Sequence, residues 1–199
     1  MRSRKKKWAA PFIAEHPEIM GEKLPEGARF DFLEVGCGKG DFIIGLAKLS
    51  PDKRFLAIEK DRSVASLAAK KALEGGIGNV YFLLGDLDYL LEGLSGQRLE
   101  AIYLNFPDPW PKLRHHKRRL TQRTRLLAMA SLLKEGGYIR LTTDNADLFE
   151  YSLLEAAEAG LEAIEVDRDA KPVEPQTEYE RKFRELGISI NRCKIRRKA

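Results

Sequence analysis

The 199 residues, 43% of them hydrophobic, are enough for one domain with a sizeable core, and no apolar run approaches the roughly 20 residues needed to cross a bilayer. A formal charge of +5 arises from 35 basic and 30 acidic side chains, so what matters is where the excess gathers; a local cluster points to nucleic acid or another polyanion. Cys37 and Cys193 are too few and too far apart for a disulfide scaffold or a zinc site, and no apolar leader core follows the basic start Met1-Arg2-Ser3-Arg4-Lys5-Lys6-Lys7-Trp8. A soluble cytoplasmic protein is expected.

Taken in chain order, apolar runs alternate with helical spacing. Residues 30–35 read as a strand that ends in Gly36-Cys37-Gly38-Lys39-Gly40, and residues 42–49 follow as a helix. Strands are expected at 54–58, 80–84, 101–106 and 138–142, with helices at 63–73, 121–133 and 148–159 between and after them. Strands that alternate with helices imply right-handed crossovers and a mostly parallel sheet covered on both faces. The tail differs. After an apolar stretch at 161–166, residues 171–175 read as a loop, 179–184 as a helix, and 187–196 alternate as an edge strand would. No repeat, low-complexity linker or composition shift marks a second domain, so residues 30–199 are expected to form one domain behind a basic extension, 1–29.

Glycines after a first strand let the backbone turn tightly and approach a ligand. Here Gly36, Gly38 and Gly40 are spaced G-x-G-x-G, not the G-x-G-x-x-G that seats a dinucleotide pyrophosphate, and Glu34 precedes them. A carboxylate there disfavours a pyrophosphate and favours a cationic ligand, such as a sulfonium with an α-amino group. Glu59 closes the second strand, where a carboxylate can accept from a ribose diol, and Asp86 follows the third, within reach of an adenine amine. Each acid alone could equally be a helix cap or a solvated loop end. Three of them at successive strand ends around one glycine loop describe a nucleoside pocket.

The fourth strand runs into Asn105-Phe106-Pro107-Asp108-Pro109-Trp110-Pro111-Lys112 and then Arg114-His115-His116-Lys117-Arg118-Arg119-Leu120. Prolines hold Asp108 in a stiff, non-helical loop beside a large aromatic ring, and no acid occurs between Asp108 and Glu135. A rigid carboxylate and an indole next to guanidinium groups suit a purine on a polyanion; the plain alternative is a turn leading into a solvated basic helix. Trp110 can stack on a base or pack into the sheet edge, and packing is favoured. His115 and His116 have no Cys or acid at ligand spacing, so no metal site is expected.

These segments, together with Thr142-Thr143-Asp144 and Thr177-Glu178-Tyr179-Glu180-Arg181-Lys182-Phe183, resemble the tRNA (guanine-N7-)-methyltransferases, which methylate the variable-loop guanine at tRNA position 46 using S-adenosyl-L-methionine. The resemblance covers nearly all of the chain from Phe30 onward. It implies a Rossmann-like class I fold with a seven-stranded sheet and an antiparallel C-terminal edge strand. It also implies cofactor contacts at Glu34, Gly36, Gly38, Gly40, Glu59, Asp86 and Asn105, and a catalytic role for Asp108. Substrate contacts would fall at Lys112, Asp144, Thr177, Glu178, Tyr179 and Glu180, with Thr177 and Glu180 facing the substrate while Tyr179 and Phe183 pack. Arg114, His115, His116, Lys117, Arg118 and Arg119 would meet RNA. Neither a metal nor an obligate protein partner is implied. Asp144 has a second reading as the cap of the helix near Ala146.

Overall fold

A run of apolar residues without alternation is what a parallel strand buried on both faces requires, and β2 (Phe32–Val35), β3 (Phe55–Glu59) and β4 (Val80–Leu84) are of this kind: Leu33, Phe55, Leu56, Ala57, Phe82 and Leu83 are almost wholly removed from solvent. The computed structural model describes residues 7–198 and divides into two compact units, Met1–Gln97 and Arg98–Ala199. The basic start at 1–6 lies outside the described residues.

In the first unit four parallel strands run in the order β1-β4-β3-β2, where β1 (Met20–Gly21) pairs Met20 with Phe82. Helix α2 (Asp41–Leu49) packs Ile43 and Ala47 on this layer, and α3 (Arg62–Glu74) packs Ala65, Ala68, Ala69 and Ala72. The small alanines let α3 lie close. The carboxylate of Asp61 starts α3 by accepting from the Ser63 and Val64 N–H groups. The segment 9–29 is built into this core: α1 (Ala9–Glu15) packs Phe12 and Ile13 against it, and Ile19 and Met20 are buried. With β1, eight strands are found among the described residues where seven were expected. Two residues carry no periodicity; β1 is defined by its pairing, Met20 opposite Phe82 and Gly21 opposite Leu83, with Ile19 C=O accepting from Phe82 N–H at 2.8 Å.

The second unit contains β5 (Leu99–Asn105), β6 (Leu133–Thr143), β7 (Leu161–Asp167) and β8 (Asn191–Arg197) in the order β5-β6-β8-β7. Strands β5 and β6 are parallel, with Asn105 opposite Thr142. The C-terminal strand is antiparallel, as expected, but β8 is inserted between β6 and β7, pairing Cys193 with Leu141 and Ile195 with Ala163, and so β7 forms the margin. Alternation in residues 187–196 reported one buried face, with Cys193 and Ile195 fully inside; it carries no information about whether one or both backbone edges are paired. Helix α5 (Arg123–Ser131) is shorter than expected because Leu133 already belongs to β6. Gly137 permits that early start, since a Cβ there would meet the Leu99 carbonyl oxygen at 2.8 Å. Helix α6 (Ala146–Glu158) buries Leu148, Phe149, Ser152 and Ala156.

Candidate active site

The glycine loop of the first unit is held in a conformation that side chains avoid. Gly36, Gly38 and Gly40 have φ of 77°, 56° and 78°. Gly36 and Cys37 donate their N–H groups to the Ile58 carbonyl at 2.8 and 3.0 Å, and Gly40 N–H closes a turn onto Cys37 C=O at 2.9 Å. A Cβ at Gly36 or Gly38 would meet nothing within 4 Å, whereas one at Gly40 would strike the Ala68 Cβ at 2.9 Å. The first two glycines thus leave an open backbone surface, and the third lets α2 and α3 pack closely.

Glu59 is joined to that loop. One carboxylate oxygen accepts from Gly38 N–H at 3.1 Å and the other from Asp61 N–H at 2.9 Å. Each oxygen has a second lone pair, so the group that shapes the loop retains the capacity to accept from a diol. Glu34 is 1% exposed at the end of β2. Burial, then the charges of Glu34 and Glu59, push the Cys37 thiol well above its usual range, so Cys37 stays protonated and is no nucleophile. Asp86 is exposed after β4 and caps α4 (Leu87–Leu90) by accepting from Asp88 N–H at 3.1 Å. Its reading as a cap is correct, and the cap leaves acceptor sites over. Carboxylates around an open glycine backbone fit S-adenosyl-L-methionine, whose ribose donates and whose sulfonium and ammonium outweigh its one carboxylate, better than they fit a pyrophosphate.

In the second unit Asp108 is exposed and makes no hydrogen bond among the described residues. The loop carrying it is strained on both sides: Phe106 and Trp110 have φ of 49° and 41°, conformations that cost bulky residues on the order of 1–3 kcal/mol each. Several contacts hold them there. Phe106 N–H donates to Thr142 C=O at 2.8 Å, and its ring lies 5.6 Å from that of Phe183 and 6.3 Å from that of Tyr179. Trp110 is half-buried, its ring perpendicular to that of His115 and 5.0 Å from the exposed Arg118 guanidinium.

The basic tract coils into a 3-10 helix, Leu113–Arg118, with Lys112, Arg114, Lys117 and Arg118 exposed. His115 and His116 are half-buried, His116 against Tyr151. Arg119 departs from the expectation of an RNA contact. It is 3% exposed; its guanidinium donates to Pro109 C=O at 2.8 Å and Trp110 C=O at 3.4 Å, and lies 4.3 Å over the Tyr151 ring. A cation among cations in sequence gives no sign of turning inward, and only the carbonyls and ring it meets reveal it. Among the described residues no three His, Cys, Asp or Glu side chains cluster as a metal site would need.

Asn145, not Asp144, caps α6, accepting from Leu148 N–H at 2.7 Å. The half-buried Asp144 carboxylate is therefore released from capping. In α7 (Glu178–Glu185) the Thr177 hydroxyl caps by accepting from Glu180 N–H at 2.9 Å. Glu178 and Tyr179 are exposed, but Glu180 is 4% exposed and does not face outward as expected. Its carboxylate accepts from Arg184 at 2.6 Å and from Arg192 of β8 at 2.9 Å. Burial lowers the Arg192 pKa while Glu180 opposes the shift. A Glu three residues after a Thr is also a helix-start signature, which marks the start of α7, but it is the two arginines that turn the Glu180 carboxylate inward.

A nucleotide-type glycine loop, acids at strand ends and a polar loop beyond β5 are the parts of a Rossmann-like methyltransferase, and solved structures share the fold. An antibiotic-related methyltransferase matches with a TM-score of 0.62 at 17% identity over 98% of this chain and 94% of its own; the 16S rRNA methyltransferase KamB matches with 0.62 at 18% over 88% and 96%. A family model described as "Putative methyltransferase" covers residues 28–193, which makes the chain a methyltransferase by class. Among curated proteins, the tRNA (guanine-N(7)-)-methyltransferase of Limosilactobacillus reuteri (strain DSM 20016) is 43% identical over 96% of each chain, and that of Lactococcus lactis subsp. cremoris (strain MG1363) is 39% identical over 98% of each. The chain belongs to the tRNA (guanine-N7-)-methyltransferase family.

Proposed function

We propose that this protein transfers the methyl group of S-adenosyl-L-methionine to N7 of guanine in tRNA, at variable-loop position 46, acting in the cytoplasm, with the segment 9–29 as part of its methyltransferase domain and not an extension to it. The observation that carries this reading is Asp108: an exposed carboxylate on a strained, proline-bounded loop, next to a run of exposed cations. S-adenosyl-L-methionine, when bound, supplies an electrophilic methyl on a cationic sulfur. Glu34, Glu59 and Asp86 would hold it beside the open backbone of Gly36 and Gly38.

Guanine N7 has an in-plane lone pair and no proton, so the residues need to align and desolvate it and not to deprotonate it. When bound, the cofactor would supply the methyl on a sulfur that leaves as a neutral thioether, so the positive charge would come to rest on the purine. Asp108 accepts from guanine N1–H and the exocyclic amine and stabilises the purine as it becomes cationic. No Lewis acid is needed, because the leaving sulfur is already activated. Asp144, Lys112, Thr177, Glu178 and Tyr179 border the base, and Glu180 supports them through α7. Arg114, Lys117 and Arg118 take backbone phosphates, which gives affinity without sequence information; His115 and His116 shape that surface.

The test is incubation with labelled S-adenosyl-L-methionine and an unmodified tRNA transcript, followed by nucleoside analysis. Label in 7-methylguanosine that disappears when position 46 is changed to adenine is the expected result. Label in another nucleoside, or at another guanine, would overturn it.

A further inference from the structure

Arg119 is the one member of its basic tract that is fully buried, and its side-chain hydrogen bonds both go to the Asp108 loop. Its main chain is tied to the tract, with its N–H on His116 C=O at 3.0 Å and its own carbonyl accepting from the Arg125 guanidinium at 3.1 Å. Its side chain turns back to the two residues that follow Asp108, donating from Nε to Pro109 C=O and from Nη2 to Trp110 C=O. Tyr151 of α6 forms the shelf beneath the guanidinium plane. Trp110 is also one of the two loop residues whose backbone is left-handed, so the clamp acts at a point where the loop would gain by relaxing.

We propose that Arg119 is the positioning residue of the Asp108 loop: fixed on Tyr151, its forked guanidinium holds the Pro109 and Trp110 carbonyls so that Asp108 is presented to guanine in one orientation. The proposal rests on the reading of Asp108 given above. A fork that spans two carbonyls and stacks on a ring is a property of arginine; lysine keeps the charge but offers a point donor that neither spans nor stacks. A phosphate contact, in contrast, tolerates lysine.

The experiment compares Arg119→Lys, Arg119→Gln and Tyr151→Leu with the parent chain, all in a Trp8→Phe background so that Trp110 is the sole remaining tryptophan of the two. Arg119→Lys is expected to lower the single-turnover rate at saturating tRNA and cofactor by about 10- to 100-fold. Its tRNA affinity, salt dependence and cofactor affinity should stay within about twofold of the parent. Trp110 should become about twofold more accessible to acrylamide without any tRNA present, and Tyr151→Leu should move both readouts the same way. Near-parent turnover in Arg119→Lys, with a salt slope reduced by about 0.7–0.9 in Arg119→Gln, would make Arg119 a phosphate ligand and overturn the proposal. Cofactor binding reports that each variant is folded; if Arg119→Lys loses it, Tyr151→Leu decides the question. A parent chain that does not methylate tRNA would refute the function proposed above, while unchanged quenching of Trp110 would refute the clamp by itself.

Discussion

Glu59→Gln isolates the cofactor acid with the least disturbance. The carboxylate accepts two backbone N–H groups, one per oxygen, from Gly38 and Asp61, and the proposed ribose diol would use the remaining lone pairs. Glutamine keeps the length and one acceptor oxygen but puts an NH2 where the other stood. Whichever way the amide turns, its NH2 faces one of the two loop N–H donors, and the diol loses an acceptor on that same side. A hydrogen bond to a charged group contributes about 1.5–3 kcal/mol, so S-adenosyl-L-methionine should bind roughly 10- to 150-fold more weakly. Calorimetric titration reads this directly. S-adenosylhomocysteine, which has the same ribose and an uncharged sulfur, should weaken by the same factor, because the lost contact is to the diol. Glu59→Ala should lose more, since both loop hydrogen bonds go with the carboxylate. Unchanged affinity in Glu59→Gln, or tight binding of NAD in its place, would refute the reasoning; a loss confined to the charged cofactor would show that Glu59 senses the sulfonium and not the sugar.

Three further outcomes are expected. Asp108→Asn should lower single-turnover methylation about 10²- to 10³-fold with little change in tRNA affinity, and the parent rate should show no basic-limb titration between about pH 6 and 9, since N7 carries no proton; a clear rise with pH would indicate a general base instead. Neutralising Arg114 and Lys117 together should weaken all tRNAs alike and flatten the salt dependence by about 0.7–0.9 per lost contact, and a parent-like slope would identify a solvated helix face. Glu180→Gln leaves Arg184 and Arg192 facing each other without their shared counter-charge, at side-chain exposures of 21% and 14%. Breaking a pair this buried costs about 3 kcal/mol or more, a fall in melting temperature of roughly 6–12 °C; a change below about 2 °C would mean that Glu180 does not anchor α7.

Periodicity reports burial, and so the order of strands and helices, the parallel sheet and the position of the glycine loop could be read from the chain. Chemistry-bearing residues at strand ends were legible for the same reason: Glu34, Glu59 and Asp86 follow apolar runs whose C-terminal ends are where ligands bind in such sheets. The stiffness of the Asp108 loop followed from its prolines. What the sequence could not specify was pairing at a distance. β8 alternates whether one or both of its edges are bonded, and its insertion beside β6 depends on the register of Cys193 with Leu141. The assignment of caps was similarly hidden, because Asp144 and Asn145 are both good caps and only the backbone geometry selects Asn145. Charges were the least legible of all. Arg118 and Arg119 are neighbours of one type, yet one lies exposed over Trp110 and the other is buried beneath the Asp108 loop. Glu180 is likewise turned inward by Arg184 and Arg192. A charged side chain is stable in solvent or in a matched set of partners, and the partners that decide between the two come from other parts of the chain.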